Sequence, residues 1–436
     1  NRGSGVQDLT AGLAYSIVQN YLNKVVAGKK VGDHIFFQGG VAANKSVVSA
    51  FEKVTGKPVT VPPHHEVTGA IGAAILALRS QNGRPSSFKG FDLTKRAYTV
   101  FTFQCAECAN RCDIRRVSFE GEAPLFYGSR CEKYDVKKRS GTEEHIPDLF
   151  VQRDRLIAAA ITSRVAAEGP VIGIPRMLYL NDEMPFWQTF FTELGFPVML
   201  SDRTSRTMVN RGLESSAAET CFPAKVALGH IQDLVDKKVD VLFLPSFVRF
   251  PAAHGDGKYS QACPYAQALP YLAKAALRLG GTKVIEAVLR LQNERQFAAS
   301  VREVGKALGK GSRVVARAMR LGQEAQERAG KAVQQKGREA LSGLKPGERA
   351  LVLIGRTYNT CDQGMNMNLP AKIRDLGVQA IPMDFLPLHD ADYTDPSNMY
   401  WRSGQKILAA GRYIKDHPNL YPVYITNFGC GPDSFI

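Results

Sequence analysis

Cysteine offers the most chemistry in this chain: there are eight among 436 residues, and they are unevenly spread. Cys105, Cys108 and Cys112 follow a C-x2-C-x3-C spacing, and Cys131 comes after eighteen intervening residues. A C-x2-C pair sits on a tight turn that points two thiolates at one ion, and Cys112 and Cys131 complete a set of four. Four thiolates satisfy tetrahedral Zn2+ and a [4Fe–4S] cube equally well, so the spacing points to metal, with iron–sulfur preferred and zinc left open. Clustering of this kind argues against a disulfide framework. Arg111, Arg115, Arg116 and Arg130 flank the four, either offsetting the charge of a thiolate cluster or standing in solvent.

A second set is dispersed. Cys221 lies in Thr220-Cys221-Phe222-Pro223 at the start of an expected helix, where backbone N–H groups and the helix dipole favour a thiolate. Cys263, in Cys263-Pro264-Tyr265, again precedes a helix, and Cys430 follows a strand in Gly429-Cys430-Gly431. Each falls in a loop at a strand's carboxyl end or at a helix start, where open α/β sheets place their ligands. Two such domains facing each other would bring the three together. The alternative is three small buried side chains. Cys361, in Thr360-Cys361-Asp362 after another strand, is either a fourth ligand or a bystander.

A third feature is Gln38-Gly39-Gly40-Val41-Ala42-Ala43-Asn44 on a strand–turn–helix, where glycines let a ligand approach the backbone and a helix start offers N–H groups. His64 and His65 read as turn residues. Phe101, Phe103, Phe119 and Phe126 read as core for the cysteine module. No side chain stands out as an acid–base catalyst.

The elements that must position these residues follow from periodicity and turn signals. Leu9, Leu13, Ile17, Tyr21 and Val25 recur every four residues, which predicts one amphipathic helix over 6–26. Short strands at 34–38 and 57–61, a helix over 44–55 and an Ala/Gly-rich, closely packing helix over 68–79 make this part α/β. Residues 80–94 read as a linker. From Pro170, strands at 171–175, 197–201 and 241–245 alternate with helices over 184–194 and 222–236, which predicts a parallel sheet; helices dominate from there to Gly343. The alternation returns with strands at 350–354, 378–382 and 421–425 and helices over 369–376 and 403–415. The expected fold is α/β, with two small doubly wound parallel-sheet domains joined by a helical connection.

Composition is that of globular protein, 44% hydrophobic and 22% charged, which excludes a disordered chain. No stretch approaches the ~20 apolar residues of a membrane helix, and no signal peptide opens the chain. The net charge is +15, and residues 271–350 carry 17 Lys/Arg against 7 Glu and no Asp. That surplus reads first as a solvated helical face. A nucleic-acid binder is a weaker reading, because the basic segment lacks interleaved aromatics. The chain begins without Met and stops just after a strand, so it reads as an excerpt.

Gln38 to Asn44, together with Glu66-Val67-Thr68-Gly69-Ala70-Ile71-Gly72-Ala73-Ala74, resembles the end of the ATPase domain in activators of 2-hydroxyacyl-CoA dehydratases, of the acetate kinase/actin-like superfamily. The resemblance implies an adenosine contact at Gly39, Gly40, Val41 and Asn44, within a partial lobe over 1–80. From Pro170 the chain resembles the dehydratase-like partner, whose paired α/β domains hold a cluster through three cysteines, and Cys221, Cys263 and Cys430 stand in that order. The whole is similar to the large fused acyl-CoA dehydratase activase-related proteins. It implies a Cys-rich metal module at 100–135, a first α/β domain with its helical connection at 150–345 and a second at 346–436.

The function so implied is ATP-dependent, low-potential electron transfer by a cytoplasmic protein of anaerobic metabolism. Its cofactors are a [4Fe–4S] or larger cluster, zinc as an option at Cys105 to Cys131, and ATP in the intact protein. Its partners are the upstream ATPase half, an electron donor or dehydratase, and a second copy in a homodimer, with no membrane. The alternative is a zinc-containing interaction or regulatory module whose dehydratase-like domains do not catalyse.

Overall fold

A computed structural model describes residues 3–81, 88, 90–106, 110–130, 134, 146–161, 169–216, 218–251, 260–388, 399–427 and 429–436. The chain divides into two units, Asn1–Ala97 and Tyr98–Ile436.

In the first unit, α1 (Val6–Tyr21) buries Ala14 and Val18 against Val47, Ala50 and Phe51 of α2 (Lys45–Thr55). The stripe of Leu9, Leu13, Ile17, Tyr21 and Val25 that announced the helix is exposed, so the smaller residues carry the packing. The helix also stops sooner than its periodicity predicts. Its continuation widens into a π turn, Leu22–Val26, closed by Ala27 in the left-handed region at φ 48°. Two short strands, β1 (Ile35–Phe36) and β2 (Val59–Thr60), pair in parallel. The last helix, α3 (Thr68–Ser80), buries none of its residues within this chain, although its Ala/Gly content led to an expectation of close packing. A short 3-10 turn, Phe91–Lys95, interrupts the expected linker.

The second unit opens with an antiparallel meander of β3 (Tyr98–Gln104), β4 (Asp113–Phe119) and β5 (Leu125–Tyr127). Cys105, Cys112 and Ile114 are its small core, covered by Phe103, Phe126 and Tyr134. Phe101, expected in that core, is exposed, because side chains alternate across a strand and its face is open.

After α4 (Leu149–Ala160), capped by Asp148, a parallel sheet begins. Its elements in order are β6 (Ile172–Ile174), α5 (Met184–Glu193), β7 (Val198–Leu200), α6 (Arg206–Ser215), α7 (Phe222–Asp236), β8 (Val241–Arg249), α8 (Pro264–Ala276), β9 (Lys283–Arg290) and α9 (Glu294–Ala307). The strand order is β7-β6-β8-β9, all parallel. The edge strand β9 lies inside the segment where the sequence predicts that helices dominate and no strand is expected. Its alternation of buried Ile285, Ala287 and Leu289 with exposed Glu286, Val288 and Arg290 is a period of two. That pattern was masked by the basic helices on either side. Trp187, Phe190, Phe191 and Phe243 fill the core at 0% exposure, each contributing roughly 1.5–3 kcal/mol by burial.

The 31-residue α10 (Ser312–Ser342) then runs along both cores, lending Val315 and Ala318 to the first and Val333 to the second. Its outer face is a ladder of pairs such as Arg320–Glu324 and Lys331–Glu327, so much of the basic surplus is solvated helix surface. The second sheet uses β10 (Ala350–Gly355), α11 (Thr357–Thr360), α12 (Leu369–Asp375), β11 (Gln379–Pro382), α13 (Arg402–Lys415) and β12 (Leu420–Ile425), in the parallel order β11-β10-β12. Both sheets therefore reverse direction beside their first strand, β6 in one and β10 in the other. Open α/β sheets bind ligands outside the carboxyl ends at such reversals.

Candidate functional site: cysteine loops around a buried arginine

The loops at those two reversals converge on Arg356, which directly follows β10 and is 2% exposed. Its Nε donates to both carboxylate oxygens of Asp433 at 3.0 and 2.9 Å, and Nη2 donates to Oδ1 at 2.7 Å. Nη1 donates to the Tyr179 hydroxyl at 3.0 Å and reaches that of Tyr358 at 3.5 Å. Tyr179 comes from the loop after β6, Tyr358 from α11 and Asp433 from the turn after β12. Burial alone would lower the guanidinium's pKa, but the two tyrosines and Asp433 more than offset it and the group stays charged. Aromatic packing of Tyr179 on Phe250 (4.8 Å) and Tyr358 (5.7 Å) keeps water from the pair.

The dispersed cysteines border this cluster. Cys221 is the N-cap residue of α7 and Cys263 that of α8, and both are buried. Helices α6 and α7 meet where Gly212 faces the Lys225 carbonyl and Gly229 faces that of Met208, with no room for a Cβ at either glycine. This contact fixes the α7 helix that Cys221 caps. Gly429, at φ +84°, brings the last loop against the Cys221 backbone, where a Cβ on it would sit 3.8 Å from the Cys221 Cα, and the half-buried Cys430 follows it in the chain. Burial pushes the Cys221 thiol up; a backbone hydrogen bond from Ala224 opposes this, Cys263 adds to it and Arg356 opposes it. Burial likewise pushes Cys430 up to about 11 against the pull of Arg356. Cys221 therefore lies near Cys263 and Arg356, and Cys430 near Arg356. Among the described residues, however, no group of three or more His, Cys, Asp or Glu side chains is set to hold a metal ion.

Of the local quartet, Cys105 and Cys112 sit at the mouth of the β3–β4 loop, joined by a 2.8 Å bond from the Cys105 N–H to the Cys112 carbonyl. Both are buried, and the Tyr134 hydroxyl lies 3.5 Å from the Cys105 sulfur. Cys108 and Cys131 lie outside the described residues.

In the first unit, Gly39 takes φ +92° and starts the 3-10 turn Gly40–Ala43. His65, read as a turn residue, braces it: Gly39 N–H donates to the His65 carbonyl at 2.7 Å, and His65 Nδ1 lies 3.0 Å from the Gly39 carbonyl. Asn44 Oδ1 caps α2 by accepting from Ser46 and Val47. Val41 is exposed, and a Cβ on Gly39 or Gly40 would meet nothing within 4 Å, so the face of the turn is open.

Two family models match the chain. Residues 171–386 match the CoA enzyme activase uncharacterised domain, and residues 1–77 match the BadF/BadG/BcrA/BcrD ATPase family. Each match covers less than half of the chain: the first spans the β7-β6-β8-β9 sheet and part of the β11-β10-β12 sheet, and the second lies within the first unit. An uncharacterized protein of Methanocaldococcus jannaschii is 31% identical over 75 residues, which span 17% of this chain and 18% of that protein. A solved structure of the SBP FpvC from P. aeruginosa, in complex with Ni2+, aligns with 60% of this chain and 89% of its own at 13% identity and a TM-score of 0.21, a likeness too low to carry an argument. No described helix is long and apolar enough to cross a membrane.

The sequence reading singled out the cysteines but missed Arg356, Asp433, Tyr179 and Tyr358. The available signal was position: an arginine directly after the buried strand Leu353-Ile354-Gly355 has little reason to be there unless paired.

Proposed function

We propose that the chain is part of an ATP-dependent, low-potential electron-transfer protein of the activase and dehydratase type, and that Cys221, Cys263 and Cys430 hold an iron–sulfur cluster. The observation that supports this reading is that Cys221 lies near Cys263 and Arg356, and Cys430 near Arg356, in loops far apart in sequence. Three thiols in a poorly solvated place suit a metal–thiolate group, whose ligands the charge-balanced Arg356–Asp433 pair would help to hold in position. When bound, such a cluster supplies one-electron chemistry. Arg356 holds the Cys430 loop in register through Asp433, and the tyrosines restrict water.

Cys105, Cys108, Cys112 and Cys131 would hold a second metal, with the β3–β4 loop mouth supporting two of the four. Gly39, Gly40, Val41 and Asn44 would contact adenosine: the turn's open backbone and the Asn44 side-chain amide fit a nucleoside, while the Asn44 carbonyl is taken by the helix cap. The ATPase-family match supports ATP binding, and the activase match supports a dehydratase as partner.

The test is iron and acid-labile sulfide analysis, with a visible spectrum, on the chain purified without oxygen. Iron and sulfide are expected, with a broad visible absorbance that falls in Cys263→Ser. Zinc in place of iron at both sites would sink the redox reading and favour an interaction module.

A further inference from the structure

Across Tyr358 from the cysteine loops lies a cavity of about 670 Å3, at the carboxyl ends of β6, β7 and β10. Arg111, Arg153, Arg176 and Arg203 line it, against Asp154, Asp182 and Asp362. The arginines are not equally engaged. Arg153 is satisfied by Asp384, with Nε to Oδ2 at 2.6 Å. Arg176 is anchored by its stem alone: Nε donates to the Ser201 carbonyl at 3.0 Å and the main-chain N–H to Ser201 Oγ at 2.8 Å. Its terminal N–H groups donate to no described residue. Among the described residues Arg203 meets only Asp154, at 3.7 Å, an ion pair without a hydrogen bond, and Arg153 shares that same carboxylate at 3.6 Å.

The other charges do not supply the missing acceptors. Asp362 is used up, with Oδ2 accepting from Thr204 at 2.6 Å and Oδ1 from the N–H groups of Gly364 and Met365. Behind it, His230 is 1% exposed and bridges Ser201 and Thr204 through its two ring nitrogens, so it adds a neutral floor. Burial, and then the like charge of Arg203, hold the Arg176 guanidinium below its usual range, and the nearby Asp154, Asp362 and Asp202 offset this only in part. Guanidinium forks with open terminal donors match the oxygens of a phosphate or carboxylate. The volume is that of a small-molecule site.

We propose that this cavity binds a small organic oxyanion, a phosphate ester or a carboxylate, gripped by the terminal N–H groups of Arg176 and Arg203, with the body of the ligand directed toward Cys361. The site does not depend on the cluster reading, because none of the three trio cysteines lines it.

The experiment is calorimetric titration of the full chain with inorganic phosphate and, separately, with succinate, at ionic strength held constant with sodium chloride. Arg203→Gln is the main variant, because Arg203 is 69% exposed in its side chain and makes no hydrogen bond to a described residue, so the fold survives its loss. Arg176→Gln is the second. Saturable binding of either anion, weakened tenfold or more in both variants, is the expected result, and the stronger anion identifies the head group. Heat no greater than that from chloride, or equal affinity in wild type and Arg203→Gln, would overturn the proposal.

Discussion

Arg356 and Arg176 both follow the first strand of a parallel sheet, and both sit at the sheet's reversal, yet they end up in opposite electrostatic states. Arg356 has a buried carboxylate bound through both oxygens and two tyrosine hydroxyls for its remaining donors. Arg176 has one carbonyl and an open fork facing a cavity. The difference shows how one topological position serves two ends. A saturated guanidinium is structural and sets a fixed local charge; an unsaturated one is available to a ligand.

The largest effect that can break this contrast comes from Asp433→Asn. Removing the carboxylate strands a buried charge, which costs about 3–5 kcal/mol in comparable pairs. Urea unfolding followed by tryptophan fluorescence should show that loss. A cost no larger than that of Arg203→Gln would mean the two arginines are not different in kind.

Gly429→Ala should cost about 1–2 kcal/mol, the usual strain of an L side chain in the left-handed region. It should also lower iron retained per chain after anaerobic purification, because the turn that carries Cys430 packs on the Cys221 backbone. Full iron content in the destabilised variant would separate the turn from the proposed ligand set.

The next effect is smaller and depends on pH. Glu183 keeps its proton up to about 7, because burial and then the Asp182 carboxylate disfavour its charge, whereas an unperturbed glutamate releases it at 4.5. The folded chain binds more protons than the unfolded one between those values, so stability falls as pH rises through that window. Asp182, raised to about 6 chiefly by burial, acts in the same sense. His230 opposes them: burial, with Arg176 and Lys237, lowers it from 6.5 to about 3, so its contribution is present above 6.5 and lost as pH falls toward 3. Glu183→Gln should flatten the upper slope and leave the acid side unchanged in denaturation midpoints measured from pH 4 to 8 (the ~4–8 range brackets ordinary Glu and His titration). An unchanged upper slope would show that Glu183 titrates normally.

Smallest of all is Arg203→Gln without ligand, which should shift stability by about 0–1 kcal/mol, as for other exposed ion pairs. Its effect belongs in binding, and a large loss of stability would move Arg203 to the structural side of the comparison.

Much of this was legible in the chain itself. The strand–helix alternation after Pro170 announced parallel sheets, because buried strands are short apolar runs and amphipathic helices repeat near every fourth residue. Cys221 and Cys263 were placed at helix starts by the prolines that follow them, and both cap helices. The edge strand β9 was not legible, since half its residues face solvent. The face by which α1 packs was not legible either, because the large apolar stripe is left open and Ala14 and Val18 do the packing.

By itself the sequence determined which residues could do chemistry and which kind of element carries each. Those are local properties, fixed by side-chain type, spacing and turn residues within a few positions. Which cation each loop meets was decided only by the tertiary structure. Arg356 and Asp433 are separated by 76 intervening residues, and Arg356 and Tyr179 by 176. Charge pairing in a buried site depends on distances through space, and these appear only once two sheets turn their carboxyl ends toward the same cleft.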